Sequence, residues 1–154
     1  MRTMLGEDIL RLLQQDPYVG PTLRCVCSVD ESWMEPVTLP ASYVINTDTK
    51  EGPGDHWVAF YISKGNHCDY FDSAGAMPIP PIARWLDERV KTVRYNDQWL
   101  QSPTSSVCGQ YCIYFLRERA RNRTIDDILT DFREYQFKYN DRRVARAVSR
   151  ILSR

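Results

Sequence analysis

The sequence has no excess of positive or negative charge, no long apolar run and few histidines. Its 154 residues carry 20 basic and 20 acidic side chains, so no overall field favours a nucleic-acid or membrane partner. No stretch approaches the roughly 18 consecutive apolar residues of a membrane-spanning helix, and we expect no membrane contact. Only two histidines are present, His56 and His67, so any imidazole chemistry has two candidates.

The cysteines number five, and no secretion signal is recognisable before them. Glu7 and Asp8 interrupt the first apolar stretch, which is not typical of a secretory leader. An odd number of cysteines without such a signal indicates a reducing compartment. We therefore expect an intracellular protein of the cytoplasm or nucleus, not a secreted one, with free thiols at Cys25, Cys27, Cys68, Cys108 and Cys112.

What the sequence does contain is enough apolar surface for one domain. Its length and its 43% of apolar residues support a single domain over 1–154 better than two. Periodicity and turn residues predict helices at 4–15, 82–90, 108–121 and 124–132, and a last helix capped by Asn140. They predict strands at 23–26, 42–46, 56–62, 69–71 and 92–95, with turns at 48–55 and 64–67. Central strands and flanking helices indicate an α+β fold, a mostly antiparallel central sheet with helices packed around it.

Cys108 lies where a polar loop meets a predicted helix, in Val107-Cys108-Gly109-Gln110. The partial positive charge of a helix N-terminus favours the thiolate, which is the nucleophilic form of cysteine. Gly109 allows a close approach of backbone and substrate, and the backbone N–H of Cys108 can face a developing oxyanion. A buried structural cysteine is the alternative. The pattern makes Cys108, at the N-terminus of a central helix, the candidate nucleophile.

His56 begins one predicted strand, and Asp72 ends the next. If these strands are adjacent and antiparallel, the start of one lies beside the end of the other, and the two side chains are neighbours. A carboxylate in that place accepts the imidazole N–H and stabilises the imidazolium. His67 lies in a polar turn and is expected to be exposed. A structural histidine and a turn aspartate remain the alternatives for His56 and Asp72.

Gln101 lies seven residues before Cys108 in the polar loop. A side-chain amide is a suitable second donor to an oxyanion. Gln98, three residues earlier, is a rival. The chain thus offers a candidate nucleophile, base, acid and oxyanion donor in one sequence.

The order of these motifs resembles that of the adenovirus-type, or adenain-like, cysteine endopeptidases, which share a clan with the SUMO-specific proteases. The resemblance implies that His56 is the base, Asp72 the acid, Gln101 the oxyanion residue and Cys108 the nucleophile. The Asp-bearing motif is most similar to proteases of large virus-like DNA transposons and related animal viruses. This resemblance implies that the protein processes viral or virus-like structural precursors during virion maturation. The motifs are Gly54-Asp55-His56-Trp57, Tyr70-Phe71-Asp72-Ser73 and the segment from Gln101 to Gly109, with further similarity at 16–20 and 44–47.

Two features separate this chain from the SUMO-specific branch. Those proteases usually place Asp directly before the nucleophile, where this chain has Val107. The chain is also short for a platform that holds a ubiquitin-like modifier. Precursor processing is therefore the preferred interpretation, and deconjugation of SUMO- or ubiquitin-like modifiers is the alternative. A catalytically inactive peptide-binding module on the same fold is a further alternative.

The resemblance also raises the question of activators. Adenoviral members are activated by DNA and by a peptide disulfide-linked upstream of the nucleophile, but no cysteine lies between Cys68 and Cys108. Covalent peptide activation is therefore disfavoured, and a DNA activator stays open. Residues 117–154 carry 11 basic and 6 acidic side chains. The candidate DNA surface comprises Arg117, Arg119, Arg121, Arg123, Arg142, Arg143, Arg146 and Arg150.

No required cofactor or metal is expected. A zinc site is disfavoured because Cys-x-Cys and His-Cys are poor matches to the usual ligand spacings. We expect a monomer, packaged in a virion if the viral resemblance holds, that acts on protein or peptide substrates. The disfavoured zinc ligands are Cys25, Cys27, His67 and Cys68.

Overall fold

The computed structural model describes residues 4–31, 33, 35, 37–48 and 56–153. Most of the predicted turn at 48–55, including Gly54 and Asp55, lies outside the described residues. The helices are α1 (Gly6–Gln15), α2 (Pro80–Arg89), α3 (Cys108–Ala120), α4 (Ile125–Leu129) and α5 (Phe137–Leu152). The strands are β1 (Leu23–Ser28), β2 (Ala41–Asn46), β3 (Trp57–Ile62), β4 (His67–Phe71) and β5 (Thr92–Tyr95), and a short 3-10 helix spans Gly20–Thr22.

The five strands form one sheet in the order β1-β2-β3-β4-β5. The three central strands pair antiparallel, as predicted for most of the sheet. The two outer strands are added parallel to their neighbours, so the sheet is mixed. A parallel pair requires a crossover connection, and α2 provides it between β4 and β5. The result is a mixed fold of one five-stranded sheet and surrounding helices.

Both faces of the sheet are covered. On one face, α1, α3 and α5 bury side chains such as Ile9, Phe115 and Val144 against the strands. On the other face, α2 and the β1–β2 connection cover an aromatic cluster that includes Trp33, Phe60 and Trp85. β2 is buried along its whole length, as expected for a central strand covered on both faces. The sheet is therefore a rigid base for side chains at the strand ends.

The end of α1 is fastened to α3 through Asp16. Its carboxylate accepts hydrogen bonds from Arg117 Nε at 2.7 Å and Arg121 Nη2 at 3.0 Å. It also accepts the backbone N–H groups of Tyr18 and Val19, both at 2.9 Å. Burial opposes ionisation of Asp16, but these hydrogen bonds outweigh burial and lower its pKa to about 2. The C-terminal end of α1 is thereby held against the C-terminal end of α3.

Two predictions about the C-terminal helices need correction. Thr124 caps α4 as predicted and accepts the N–H of Asp127 at 3.1 Å, but α4 ends at Leu129 instead of continuing to 132. Asn140 is not a cap, because α5 begins at Phe137. Its fully buried amide instead binds the carbonyl of Leu100 at 3.0 Å and the backbone of Arg133. A tertiary contact has thus replaced the expected local one.

Two of the five cysteines are not free. Cys25 and Cys27 form a disulfide with Cα atoms 5.7 Å apart, so the expectation of free thiols is wrong for this pair. Alternate residues of a strand project to the same side, and the pairing of β1 with β2 is irregular between Leu23 and Cys25. The remaining cysteines, Cys68, Cys108 and Cys112, are free and buried.

The described residues contain no group of three or more His, Cys, Asp or Glu side chains that could hold a metal. Within the same part of the chain, no helix is both long enough and apolar enough to cross a membrane.

Candidate active site

The four predicted site residues come from four different segments. His56 directly precedes β3, Asp72 directly follows β4, Gln101 lies in the loop after β5, and Cys108 is the first residue of α3. His56, Gln101 and Cys108 line one cleft of about 590 Å³, a size typical of a ligand-binding cleft. Asp72 lies behind His56 and is 4% exposed. Gln98, the rival of Gln101, lies outside the lining of this cleft.

His56 and Asp72 are hydrogen-bonded through Nε2 and Oδ1 at 2.6 Å. β3 and β4 are adjacent and antiparallel, with Ala59 opposite Phe71, so the start of one strand adjoins the end of the other. The same Asp72 oxygen accepts the N–H of Ala74 at 2.8 Å. The predicted proximity of His56 and Asp72 is therefore present, although their catalytic roles stay a prediction. His67 is exposed, as expected.

The Cys108 thiol lies close enough to the His56 ring to affect its pKa. Because Nε2 faces Asp72, Nδ1 is the nitrogen left for the sulfur. Burial disfavours the charged imidazole, but the hydrogen bonds to Asp72 and Cys108 and the charges of the two groups outweigh burial and raise the pKa of His56 to about 10. The sulfur also accepts the N–H of Trp57 at 3.5 Å. The imidazole thus lies between the carboxylate and the thiol.

Asn96 was missed by the sequence analysis. It is 2% exposed and directly follows β5, which runs parallel to β4 with Tyr95 opposite Tyr70. Its Oδ1 accepts the N–H of Asp72 at 2.9 Å, and its Nδ2 donates to the carbonyl of Asp72 at 2.5 Å. Asn96 therefore holds the backbone of the candidate acid on both sides. A polar residue immediately after the strand beside β4 was the signal that could have identified it.

Ser73, the residue after the candidate acid, holds Gln101. Its carbonyl accepts the N–H of Gln101 at 3.0 Å, and its hydroxyl donates to Gln101 Oε1 at 2.6 Å. The amide oxygen of Gln101 is thereby committed to Ser73. The amide nitrogen faces Ser105 and donates to its carbonyl at 3.0 Å. Because Ser105 lines the cleft, the donor end of the amide is the end near the cleft.

The start of α1 forms part of the cleft wall. A Cβ atom placed on Gly109 would lie 3.0 Å from Ile9 Cδ1 and 3.3 Å from Met4 Cβ, and one on Gly6 would lie 3.2 Å from the Trp57 ring. The close approach expected at Gly109 is therefore made by α1. Glycine at these two positions lets α1 pack over the N-terminus of α3.

Aromatic side chains divide between the cleft and the core. Trp57 and Trp99 line the cleft, and Trp99 is 41% exposed. Trp33 and Tyr43 lie in the buried cluster on the opposite face of the sheet.

The sequence comparisons identify viral cysteine proteases as relatives. No protein-family model matches the chain. A protein named cysteine protease from one isolate of African swine fever virus is 36% identical over 121 residues, covering 66% of this chain and 43% of that protein. A version from another isolate, named SUMO-1 cysteine protease, is 35% identical over 121 residues with the same coverage. The matched region therefore spans less than half the length of these relatives.

The fold comparisons agree with the sequence comparisons. A crystal structure of the African swine fever virus protease has a TM-score of 0.62 at 20% identity, covering 90% of this chain and 65% of that one. The SUMO protease Ulp1 gives 0.58 at 14% identity, covering 94% and 74%. ChlaDub1 from Chlamydia trachomatis gives 0.54 at 13% identity, covering 99% and 80%. Together the comparisons confirm the resemblance to the clan that includes the SUMO-specific proteases.

Proposed function

We propose that this chain, a homologue of the African swine fever virus cysteine proteases with the fold of the SUMO protease Ulp1, is a cysteine peptidase whose nucleophile is Cys108. The observation that carries the proposal is the position of His56 between Asp72 and Cys108. A thiol at a helix start with an imidazole so oriented has the geometry that acyl transfer requires.

The proposed reaction begins from the thiolate of Cys108 paired with the imidazolium of His56. The sulfur attacks the scissile carbonyl, a C–S bond forms, and the carbonyl oxygen becomes an oxyanion. The amide of Gln101 and the backbone N–H of Cys108 donate to this oxyanion. His56 then gives its proton to the leaving amine as the C–N bond breaks. Water hydrolyses the thioester with His56 as the base, which returns the free thiol enzyme.

The raised pKa of His56 fits both of its proposed roles. Since the pKa is about 10, the imidazolium is the stable form throughout the neutral range and loses its proton only as the pH rises through that value. A retained positive charge stabilises the thiolate, and the same proton is available to the leaving group. Asp72 supports both roles by accepting the second ring N–H.

The comparisons favour removal of a SUMO-like modifier over the precursor processing that the sequence analysis preferred. One viral relative is named a SUMO-1 cysteine protease, and Ulp1 is a SUMO protease. We therefore propose a SUMO-like conjugate as the first candidate substrate. Processing of a viral structural precursor is the second candidate, because the sequence relatives are viral. The same viral relatives support an intracellular site of action.

The test is cleavage by the purified protein of a panel of SUMO- and ubiquitin-like conjugates and of a viral capsid precursor. Cleavage of the conjugates alone would support deconjugation, and cleavage of the precursor alone would support precursor processing. Cys108→Ala should abolish both cleavage and labelling by a thiol-directed active-site probe. Cys68→Ala, which removes a buried thiol of β4, is the matched control and should retain both. If Cys108→Ala cleaves as well as the parent, the proposal is wrong, and absence of cleavage and labelling in the parent would favour a binding module.

A further inference from the structure

A second cleft, of about 620 Å³, lies between α3 and α5. It shares no lining residue with the catalytic cleft. Its floor is apolar and is formed by Ile113 of α3 and by Ala147, Val148 and Ile151 of α5. We call this cleft the basic groove, because arginines surround the apolar floor.

The rim of the basic groove carries a regular row of positive charge. Arg142, Arg146 and Arg150 follow one another at every fourth residue of α5 and line the groove. Arg117 and Arg143 also line it. Among the described lining residues, Glu118 is the single acidic one. Successive arginines of the row are about 6 Å apart along the helix axis.

The arginines expected to form a DNA surface divide into two groups. In the first group, side chains are neutralised within the fold, as in Arg119 with Asp69 at 2.7 Å and Arg123 with Asp131 at 2.6 Å. Members of this group form salt bridges and comprise Arg117, Arg119, Arg121, Arg123 and Arg143.

The second group is the row on α5. Arg142, Arg146 and Arg150 are exposed, and the described part of the chain supplies no acidic partner for them. Like charges at every fourth residue of a helix repel one another. This row therefore costs stability within the chain, and negative charge from a bound molecule would offset that cost.

We propose that the basic groove binds an acidic peptide segment whose apolar side chains contact the floor while its carboxylates meet the arginine row. Carboxylates four residues apart on a helical peptide have the same spacing of about 6 Å as the arginines. Such a peptide lying along α5 would use the helix-in-groove mode of recognition. A nucleic acid presents phosphates to the rim but has no apolar side chains for Ala147 and Ile151, the partly exposed apolar residues of the floor, so the floor favours a peptide.

The test measures binding by fluorescence polarisation with three labelled probes matched in total charge. The probes are a random copolymer of glutamate and tyrosine, poly-glutamate and a DNA duplex. The copolymer should bind most tightly, because it alone supplies both carboxylates and large apolar groups. Replacing two arginines of the row, in Arg142→Ala/Arg146→Ala, should weaken copolymer binding about ten-fold, since each exposed charge contact contributes a few-fold.

Two further variants separate a defined site from general attraction. Arg84→Ala removes an exposed arginine of α2, outside the groove, and should leave copolymer binding unchanged. Ile151→Ser should weaken the copolymer and leave poly-glutamate unchanged, with thermal melting used to confirm that the variant is folded. Equal binding of copolymer and poly-glutamate, an equal loss in Arg84→Ala, or tighter binding of DNA would overturn the proposal.

Discussion

The two sides of the candidate catalytic cleft differ in how their side chains are held. On the supporting side, Asp72 and Gln101 are fixed by buried hydrogen bonds with Asn96 and Ser73, respectively. On the reacting side, the Cys108 sulfur lies beside the His56 ring. It also accepts the backbone N–H of Trp57 at the long distance of 3.5 Å. The groups proposed to change charge and partner are therefore those with the fewest fixed partners.

This difference agrees with the demands of acyl transfer. An oxyanion donor works best when its orientation is set before the reaction, so that no reorganisation accompanies the chemistry. A nucleophile must instead leave its resting partner to form a bond with carbon. The comparison predicts large losses when a reacting group is removed, and smaller, coupled losses when a supporting group is removed.

Among changes that keep Cys108, the largest effect is expected from His56→Gln on the reacting side. Glutamine can still donate to Asp72, but it cannot carry the proton, so kcat/KM should fall about a thousand-fold. Alkylation of Cys108 by iodoacetamide at pH 6 should also slow, because no imidazolium stabilises the thiolate. His67→Gln, at the exposed histidine, is the control and should change neither rate. An unchanged alkylation rate in His56→Gln would show that His56 does not activate the Cys108 thiol.

Gln101→Ala is expected to have the next largest effect. Loss of one oxyanion donor lowers kcat by about 100- to 1000-fold, whereas KM should change little because the donor acts on the transition state. Gln98→Ala is the matched comparison and should retain kcat, since Gln98 lies outside the cleft lining. A larger loss of kcat in Gln98→Ala than in Gln101→Ala would show that Gln98 is the oxyanion donor.

Ser73→Ala should have a smaller effect that depends on Gln101. Without the hydroxyl at 2.6 Å, the amide of Gln101 is free to turn its oxygen toward the cleft. We expect a loss of kcat of about ten-fold, and residues that act through one another are not additive. In the Gln101→Ala background, Ser73→Ala should therefore cost almost nothing further. Full additivity of the two losses would show that Ser73 does not act through Gln101.

The proximity of His56 and Asp72 could be predicted because it depends on local rules. The turn predicted at 64–67 occupies 63–66 in the structure, and strands joined by so short a turn pair antiparallel. The start of β3 is therefore beside the end of β4 in any arrangement that keeps the hairpin. The helix start at Cys108 followed from an equally local change, from a polar loop to an apolar periodic segment.

The remaining features depend on contacts between distant segments. Gln101 and Gln98 could not be separated by sequence, because the loop after β5 takes its shape from Ser73 and Asn96. Asn140 satisfied a local capping rule, but its amide binds the carbonyl of Leu100, forty residues away. The parallel addition of β1 and β5 likewise leaves no periodic signal within either strand. Local patterns were reliable where the structure uses them and misleading where a buried amide joins two segments.

The smallest effect on activity, and the sharpest test of the supporting side, is expected from Asn96→Ala. This change leaves the buried N–H and carbonyl of Asp72 without their partner, which costs about 1–3 kcal/mol of stability for each group. Asp72 should then be held less firmly against His56, and kcat/KM should fall a few-fold. The pKa of His56, about 10 in the parent, should move down toward the ordinary value for histidine, as measured by NMR titration of its ring proton.

Asn140→Ala provides the control for stability alone. It removes an equally buried amide with three hydrogen bonds but does not touch Asp72. It should lower the melting temperature by a similar amount and leave the pKa of His56 at its parent value. If both variants shift the pKa of His56 equally, Asn96 acts only through general stability. A pKa shift of His56 confined to Asn96→Ala would instead show that Asn96, on the supporting side, controls the protonation of His56 on the reacting side.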